Sequence, residues 1–463
     1  MPPEACAYAL ARYSRSPDSI RDSIEWVRSH SSQQFLESFY FQYGHASIAD
    51  LGHVVLCLEG ISELAAAEIE DEQLWDGQAK SSRYQDFSRA GIVAPPEFEA
   101  DPARRYADTA ARLLGAYQTV HARALECLEE KLPRPDGMKP DAYQRNLRAR
   151  AFDVARYLLF WGIPTNVGQV TSIRTLEKQI RRLRGSAYGE LRSLGDEMAE
   201  ACARPPDCLW NGAPADPLAP TLARHAAADP FPAASCAAVA AWAAEFLPGP
   251  PPAHEHPVEV VRPDDPSADI AATLLYEVTA WPFRALYQTV RGWSEARRHE
   301  VIAAALGPRG RRDELPRAFR GAIYAFDIVM DIGAYRDLHR HRRCQQFRQA
   351  YGGALGYETP PLVAEAGATA AYDAAIAEAL ETFAALPAPG REYILPFATR
   401  GRFLFKMDFA EAEYISRLRS GVKGHFSYRQ VAWEMKLALE RLDPAMGRLI
   451  EATPPWVEDP LQR

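Results

Sequence analysis

The residues best equipped for chemistry in this chain are cations at set spacings. Arg340-His341-Arg342-Arg343 closes an apolar run, AFRGAIYAFDIVMDIGAYRDL. A bare basic run is ordinarily a solvated face. Here the preceding stretch is too apolar for a mobile arm. Ile323, Phe326, Val329, Met330 and Gly333 recur at helical spacing, with Asp327 and Asp331 flanking that stripe. The expectation is a buried helix whose carbonyl end faces cations that can grip a phosphate or an electron-rich ring.

Two arginine pairs share one separation. Arg156 precedes YLLFWGIPTN and then QIRRLRG, ending at Arg184; Arg391 precedes EYILPFATRG and then EYISRLRSG, ending at Arg419. Both members shift by 235 residues (391 − 156 and 419 − 184). Each half then runs to the same Glu-Met step, GDEM in one and AWEM in the other. The pattern predicts an internal duplication.

Other chemistry is weakly signalled. Seven cysteines (Cys6, Cys57, Cys127, Cys202, Cys208, Cys236 and Cys344) make no CxxC pair, so neither a zinc ribbon nor a disulfide framework is supported. Cys344, beside the cations, has the setting of a lowered-pKa thiol, although packing is the usual role of a lone cysteine. His339/His341 and His254/His256 lack carboxylates at ligand spacing, so no metal site is expected.

The elements that must position these residues read as mostly helical. FDVARYLL, TLEKQIRRLRG, DIAATLLYEVTAWPFRALY and AAYDAAIAEALETFAAL have helical spacing, while VVLCLEGIS and PVEVVR are the strand candidates. The fold class expected is helix-rich α+β. At 463 residues the chain should form two or more domains. A proline- and alanine-rich stretch divides it, giving 1–204, a linker at 205–255 holding one short helix over ASCAAVAAWAAEF, and 256–463. A net charge of −8 opposes a generic nucleic-acid coat, and 47% hydrophobic with 10% aromatic residues excludes general disorder. No apolar run is long enough to span a bilayer, and MPPEACAYALARYSRSPDS lacks a signal layout, so a cytoplasmic location is expected.

With these pieces assembled, the chain resembles the flavin-dependent thymidylate synthases. That family carries an Arg-His-Arg triad, a Ser-x-Arg-Tyr element shortly after it and an upstream Gly-His-x-Ser helix start. Here the pieces are shared between the halves. The first has Gly44-His45-Ala46-Ser47, then His53, then Ser81-Ser82-Arg83-Tyr84, with Glu70-Asp71-Glu72 where the triad would fall. The second has Arg340-His341-Arg342, followed by QQFRQAYGG, in which Arg348 or Ala350 takes the serine's place. Val154-Ala155-Arg156 with Leu183-Arg184, and Arg391 with Leu418-Arg419, match the family's nucleotide-contacting arginines. The resemblance covers most of both halves and leaves out the proline-rich stretch.

The resemblance implies two tandem domains of that fold and reductive methylation of dUMP at C5. Methylenetetrahydrofolate would give the carbon, reduced FAD the hydride, and NADPH would be the reductant. The flavin carries the reactive machinery, which leaves orientation and electrostatics to the protein. Arg340, His341 and Arg342, with His45, Ser47 and His53, would bind FAD. Ser81, Arg83, Arg156, Arg184, Arg391 and Arg419 would bind the nucleotide, with Arg184 and Arg419 stabilising enolate charge. Each half keeps what the other lacks, which favours one composite pocket. Family members are tetramers, so a duplicated chain is expected to form a homodimer equivalent to four subunits. Two alternatives remain: the same fold acting on another pyrimidine nucleotide, or a non-catalytic nucleic-acid-binding or regulatory protein using QIRRLRG and HRHRRCQQFRQ, with Phe347 and Tyr351 interleaved. The net negative charge opposes the second.

Overall fold

The structure, a computed structural model, describes residues 1–42, 46–83, 85–208, 212–213, 215–253, 256–310, 313, 315–321, 323–459 and 461. The chain begins with α1 (Pro3–Tyr13), α2 (Ile20–Arg28) and α3 (Ser32–Leu36). Then β1 (His53–Ser62) leads into α4 (Glu63–Glu70), β2 (Asp76–Ala79), α5 (Ala100–Lys131) and α6 (Pro140–Ala155). A 3-10 turn at Arg156–Leu158 precedes β3 (Pro164–Ser172), α7 (Ile173–Arg184) and α8 (Gly189–Ala203).

The middle of the chain contains α9 (Pro220–His225), α10 (Phe231–Phe246), β4 (Val258–Val261), α11 (Pro266–Val278), α12 (Phe283–Arg291) and α13 (Glu295–Leu306). The first order then returns: β5 (Tyr324–Asp331), α14 (Ile332–Leu338), β6 (Gln345–Arg348), α15 (Pro361–Glu365) and α16 (Thr369–Ala385). A 3-10 turn at Arg391–Ile394 precedes β7 (Arg400–Met407), α17 (Phe409–Arg419), α18 (Phe426–Leu442) and α19 (Pro444–Gly447). The chain is helix-rich α+β, as its periodicities predict.

The duplication is visible in the sheets. The first has strand order β1-β3-β2 and the second β4-β5-β7-β6, so β5-β7-β6 repeats the first arrangement. In both repeats, strand passes to helix through the same device. Ser62 and Asp331 cap the helices after β1 and β5, and Ser172 and Asp408 cap those after β3 and β7, each side chain accepting from the amide three residues on. Strand ends and helix starts are thereby fixed to a single residue.

One element corrects the sequence reading. Residues 324–331 are the strand β5, with the short α14 following, instead of one long helix. Seven of the eight β5 residues are buried, so no period-two alternation marks it. An apolar run buried on both faces cannot be told from a buried helix by periodicity alone. The cations at 340–343 therefore follow a helix of seven residues, and Ile323, placed on the apolar stripe, is 53% exposed.

The contacts define two compact units. Unit 1 comprises 1–80, 95–97 and 164–230; unit 2 comprises 81–94, 98–163 and 231–463. The first unit holds the three-stranded sheet with α7 and α8; the second holds the four-stranded sheet. The long helices α5 and α6 of the first repeat are built into the second unit. There α5 meets α16, with Thr109 and Thr382 hydroxyls 2.9 Å apart. The two 3-10 turns run on into segments that pair antiparallel: Trp161 N–H donates to Leu395 O at 3.2 Å, and Phe397 N–H to Leu159 O at 2.7 Å. Gly162 N–H donates to Tyr393 O at 2.8 Å and Ala398 N–H to Tyr157 O at 3.1 Å. Equivalent pieces of the two repeats thus meet about a local twofold inside unit 2. Gly162 is required there, because a Cβ would lie 1.9 Å from the Tyr106 hydroxyl.

The core of the second unit packs α10 to α13 on the sheet. Leu274, Leu275, Phe283, Leu286 and Val301 join Ala325, Phe347 and Leu404 in one buried cluster. The run ASCAAVAAWAAEF is inside α10 and contributes Val239 and Trp242 to that cluster, so it is a core helix and not only a linker segment. VVLCLEGIS and PVEVVR form β1 and β4, as their β-branched residues predict. DIAATLLYEVTAWPFRALY breaks into α11 and α12 at Pro282, the N-cap of α12. Among the described residues no helix is long and apolar enough to cross a membrane.

Candidate functional site

The cluster that collects the singled-out residues lies within unit 2, between the end of α6, the helix α14 and the start of α18. Arg83 grips Asp153 of α6 from two directions, Nε to Oδ1 at 2.7 Å and Nη2 to Oδ2 at 3.2 Å. Its Nη1 donates to the Tyr428 hydroxyl at 3.1 Å and its Nη2 also to Lys423 O at 3.2 Å. Burial would lower the guanidinium's pKa, but the Asp153 carboxylate outweighs it and raises it. Three residues along the helix from Asp153, Arg156 is 1% exposed. It donates through Nη2 to Gly333 O and to Asp337 Oδ2, both at 3.1 Å.

α14 answers these arginines from the second repeat. Asp337 would be raised by burial, but Arg156, Arg336 and Arg83 together hold it below its usual range. Arg336 donates to the Ser82 hydroxyl at 3.2 Å and lies 4.6 Å from the Phe397 ring centre. Ser82, and not Ser81, is therefore the buried serine of the element; Ser81 Oγ accepts from the Arg83 amide and shapes the turn.

Tyr428 links the two repeats. The Arg83 guanidinium lies 5.9 Å from its ring centre and the Arg419 guanidinium 5.7 Å. Arg419 Nε in turn donates to His341 Nε2 at 2.7 Å, and His341 Nδ1 stands 3.4 Å from Glu411. An imidazole whose Nε2 accepts carries its proton on Nδ1, towards that carboxylate. Burial, with the Arg419 and Arg342 charges, outweighs Glu411 and lowers the His341 pKa, so the ring is neutral at pH 7. His425, the α18 N-cap, is lowered further by burial, Arg156 and Arg83, and its Nε2 bonds Asp153 O at 2.8 Å.

The remaining residues fall in different places. Arg340 and Arg342 are half-buried in the turn after α14. Arg391 is 40% exposed, 3.6 Å from Glu392, with its guanidinium 4.8 Å from the Phe383 ring centre. Arg184 belongs to unit 1, where it pairs with Asp196 at 2.8 Å and bonds Ala226 O. Ser47 and His53 are exposed residues of unit 1. His45 and Tyr84 lie outside the described residues. Cys344 is buried, its thiol pushed up to about 12 by desolvation, which removes the reactive-thiolate option.

The first repeat treats the triad's position in the opposite way. Where the second has cations, it has the acidic stretch after α4, and Arg182 of α7 bonds Glu72 at 3.1 Å and Glu68 at 3.2 Å. Sequence reasoning missed Asp153, Asp337, His425 and Tyr428. The last two stand in GHFSY, a His- and aromatic-rich step beginning at Gly424, five residues after Arg419, which was a usable signal. The two carboxylates had none.

Among the described residues the cluster thus brings paired and unpaired guanidiniums together with a neutral imidazole and a phenol. Comparison with known proteins gives the class a name. The family model for the thymidylate synthase complementing proteins matches residues 1–205 and 277–445, and the chain belongs to that family. Among curated proteins it is similar to UPF0159 proteins. That of Chlamydia muridarum is 27% identical over 87% of this chain and 78% of its own length. That of Chlamydia pneumoniae is 26% identical over 89% and 78%, and that of Thermoplasma acidophilum 23% over 96% and 94%. Among solved structures, a flavin-dependent thymidylate synthase of Helicobacter pylori complexed with FAD and dUMP matches 43% of this chain and 89% of its own. It is 18% identical with a TM-score of 0.26.

Proposed function

We propose that the chain is a flavin-dependent enzyme that methylates dUMP at C5, with FAD as cofactor, methylenetetrahydrofolate as carbon donor and NADPH as reductant. One observation carries this reading. Arg83 of the first repeat and Arg419 of the second meet at Tyr428, and Arg419 also bonds His341, so motif pieces separated in sequence share one cluster. Family membership supports it.

The residues fit an anionic, planar group. Among the described residues, half-buried Arg340 has no side-chain partner to neutralise it, and it precedes an imidazole fixed in place by Glu411 and Arg419. A reduced flavin bound there would supply the hydride that completes the methyl group. Arg340 and Arg342 would hold its negative charge, and His341 would offer it a neutral face. Arg83 and Arg419 would present cations to the nucleotide. Arg156, buried against Asp337, would orient α14 instead of touching the nucleotide. The roles that the resemblance gives Ser81, Arg184 and Arg391, and His45, Ser47 and His53, belong to the same proposal. So does a homodimer, which light scattering at the mass of one chain would remove.

The test is optical. The purified chain should be yellow, and dUMP should perturb its flavin band; Arg340→Ala should fold but lose flavin. Colourless protein that takes up no added FAD would overturn the reading. A band that answers only to another pyrimidine nucleotide would correct the substrate. A non-catalytic role has one observation in its favour, because Arg83 and Arg156 are already neutralised by Asp153 and Asp337. Colourless protein that retards single-stranded nucleic acid would select it.

A further inference from the structure

Past residue 445, where the family match ends, the chain makes a contact that bears on the cluster. Arg429 of α18 is 3% exposed. Among the described residues its guanidinium has no carboxylate in hydrogen-bond reach, and it spends its donors on backbone carbonyls. Nε donates to Ser420 O at 2.9 Å, and Nη2 to Val457 O at 2.7 Å and Pro454 O at 3.3 Å. A buried guanidinium used in this way fixes one stretch of backbone to another, since its fork holds several acceptors in a set geometry. The Thr453 amide closes the same junction by donating to Ser420 Oγ at 2.9 Å.

From there the segment reaches the first repeat's helices. Glu458 stands 3.6 Å from Arg150 of α6, and Asn146 Nδ2 donates to Leu461 O at 2.8 Å. Leu461 packs on the cluster of Leu128, Tyr143 and Leu147. Residues 453–459 and 461 thus connect the turn after α17 with the α5–α6 pair.

That turn also belongs to the site. Ser420 follows Arg419 directly, Lys423 gives its carbonyl to Arg83, and His425 bonds Asp153 O. The turn 420–425 is therefore held by Arg83 and, independently, by Arg429 with the terminal segment. We propose that residues 453–459, with Leu461, are a positioning strap anchored by Arg429, which sets the turn 420–425 and with it Arg419 and Tyr428 for nucleotide binding. For its ligand the inference rests on the function proposed above.

Two variants test it in the full chain. Thr453→Pro removes the amide that bonds Ser420, with φ at 453 fixed by the ring, and Arg429→Lys keeps the charge while losing the fork. Hydrogen exchange of the peptide covering 418–428, without ligand, should quicken in both. Flavin content should stay at the wild-type level, and dUMP, titrated on the flavin band, should bind about three- to tenfold more weakly, the factor that one lost hydrogen bond carries. Trp456→Phe, which keeps every one of these hydrogen bonds, should change neither. Unchanged exchange in both variants overturns the strap. Faster exchange with undiminished dUMP binding overturns its positioning role. Should Arg429→Lys fail to fold, Thr453→Pro decides alone. If the wild type takes up no flavin while exchange still quickens, the functional reading falls and the strap's hold on the turn stands.

Discussion

Asp331 caps α14 with Oδ1, which accepts from the Ala334 amide at 2.8 Å, while Oδ2 accepts from the Tyr157 and Ser427 hydroxyls. Burial pushes its carboxyl up to about 6, with Glu358 adding to the rise and Ser427, the Ala334 amide and Arg156 opposing it. The unfolded chain ionises an aspartate near 4, roughly. The folded chain therefore holds the extra proton between about pH 4 and pH 6, and this group's contribution to stability falls as pH rises through that window and levels off above it. Asp331→Asn keeps a capping oxygen and removes the titration. The melting temperature of the wild type, relative to the variant, should fall across the window and then run parallel; parallel curves throughout would show an ordinary carboxylate. Not all of this polar network could be read in advance. Arg83 and Arg156 carry spacing signals, but Asp153 is 70 residues from Arg83, Asp337 is 181 from Arg156 and Tyr428 is 345 from Arg83. Which carboxylate meets which arginine is decided by topology, and no local pattern reaches that far.

At the scale of elements, what was legible is what repeats. The arginine pairs mark the two 3-10 turns and the ends of α7 and α17, so equal spacing located equal elements. β5 was misread because burial on both faces erases alternation. The insertion between the matched stretches, residues 206–276, gives the second sheet a fourth strand and most of α11. That helix is pinned through charge. Lys406 of β7, fully buried, donates to Asp269 Oδ2 at 2.6 Å and Thr273 Oγ1 at 3.2 Å. In the first sheet the same register position is Val170, 41% exposed. Breaking one side of a buried pair strands the other charge, whereas replacing both with apolar groups is often neutral. Asp269→Ala should cost about 3–5 kcal/mol in urea unfolding, and Asp269→Leu with Lys406→Met should recover most of it. A double variant as unstable as the single one would mean that α11 depends on the charges themselves.

For the whole molecule, the duplicated order suggests two folded halves in series, and the contacts divide the chain otherwise. The path crosses between the two units at residues 80–81, 94–95, 97–98, 163–164 and 230–231, so neither unit is a single stretch. The decisive piece is 98–163. It comes from the first repeat, yet it gives the second unit α5 and α6, the turn at Arg156 and the Leu128–Tyr143–Leu147 cluster. Sequence could expose the equivalence of the repeats, because equivalence is periodic; it could not expose that the first repeat's α5 and α6 join the second unit, because either arrangement uses the same periodicities. Residues 256–463 alone would leave α16, Asp337 and His425 without the helices, arginines and carbonyl that satisfy them. Buried surface and polar groups left open in this way cost more than the marginal stability of a domain. Expressed separately, 1–204 and 205–463 should each be insoluble or lack a cooperative melt, whereas co-expression should yield a soluble complex that melts near the intact chain. A stable, cooperatively melting 205–463 fragment would show that the second sheet and its own helices suffice, and that α5 and α6 are an addition to a complete fold instead of part of it.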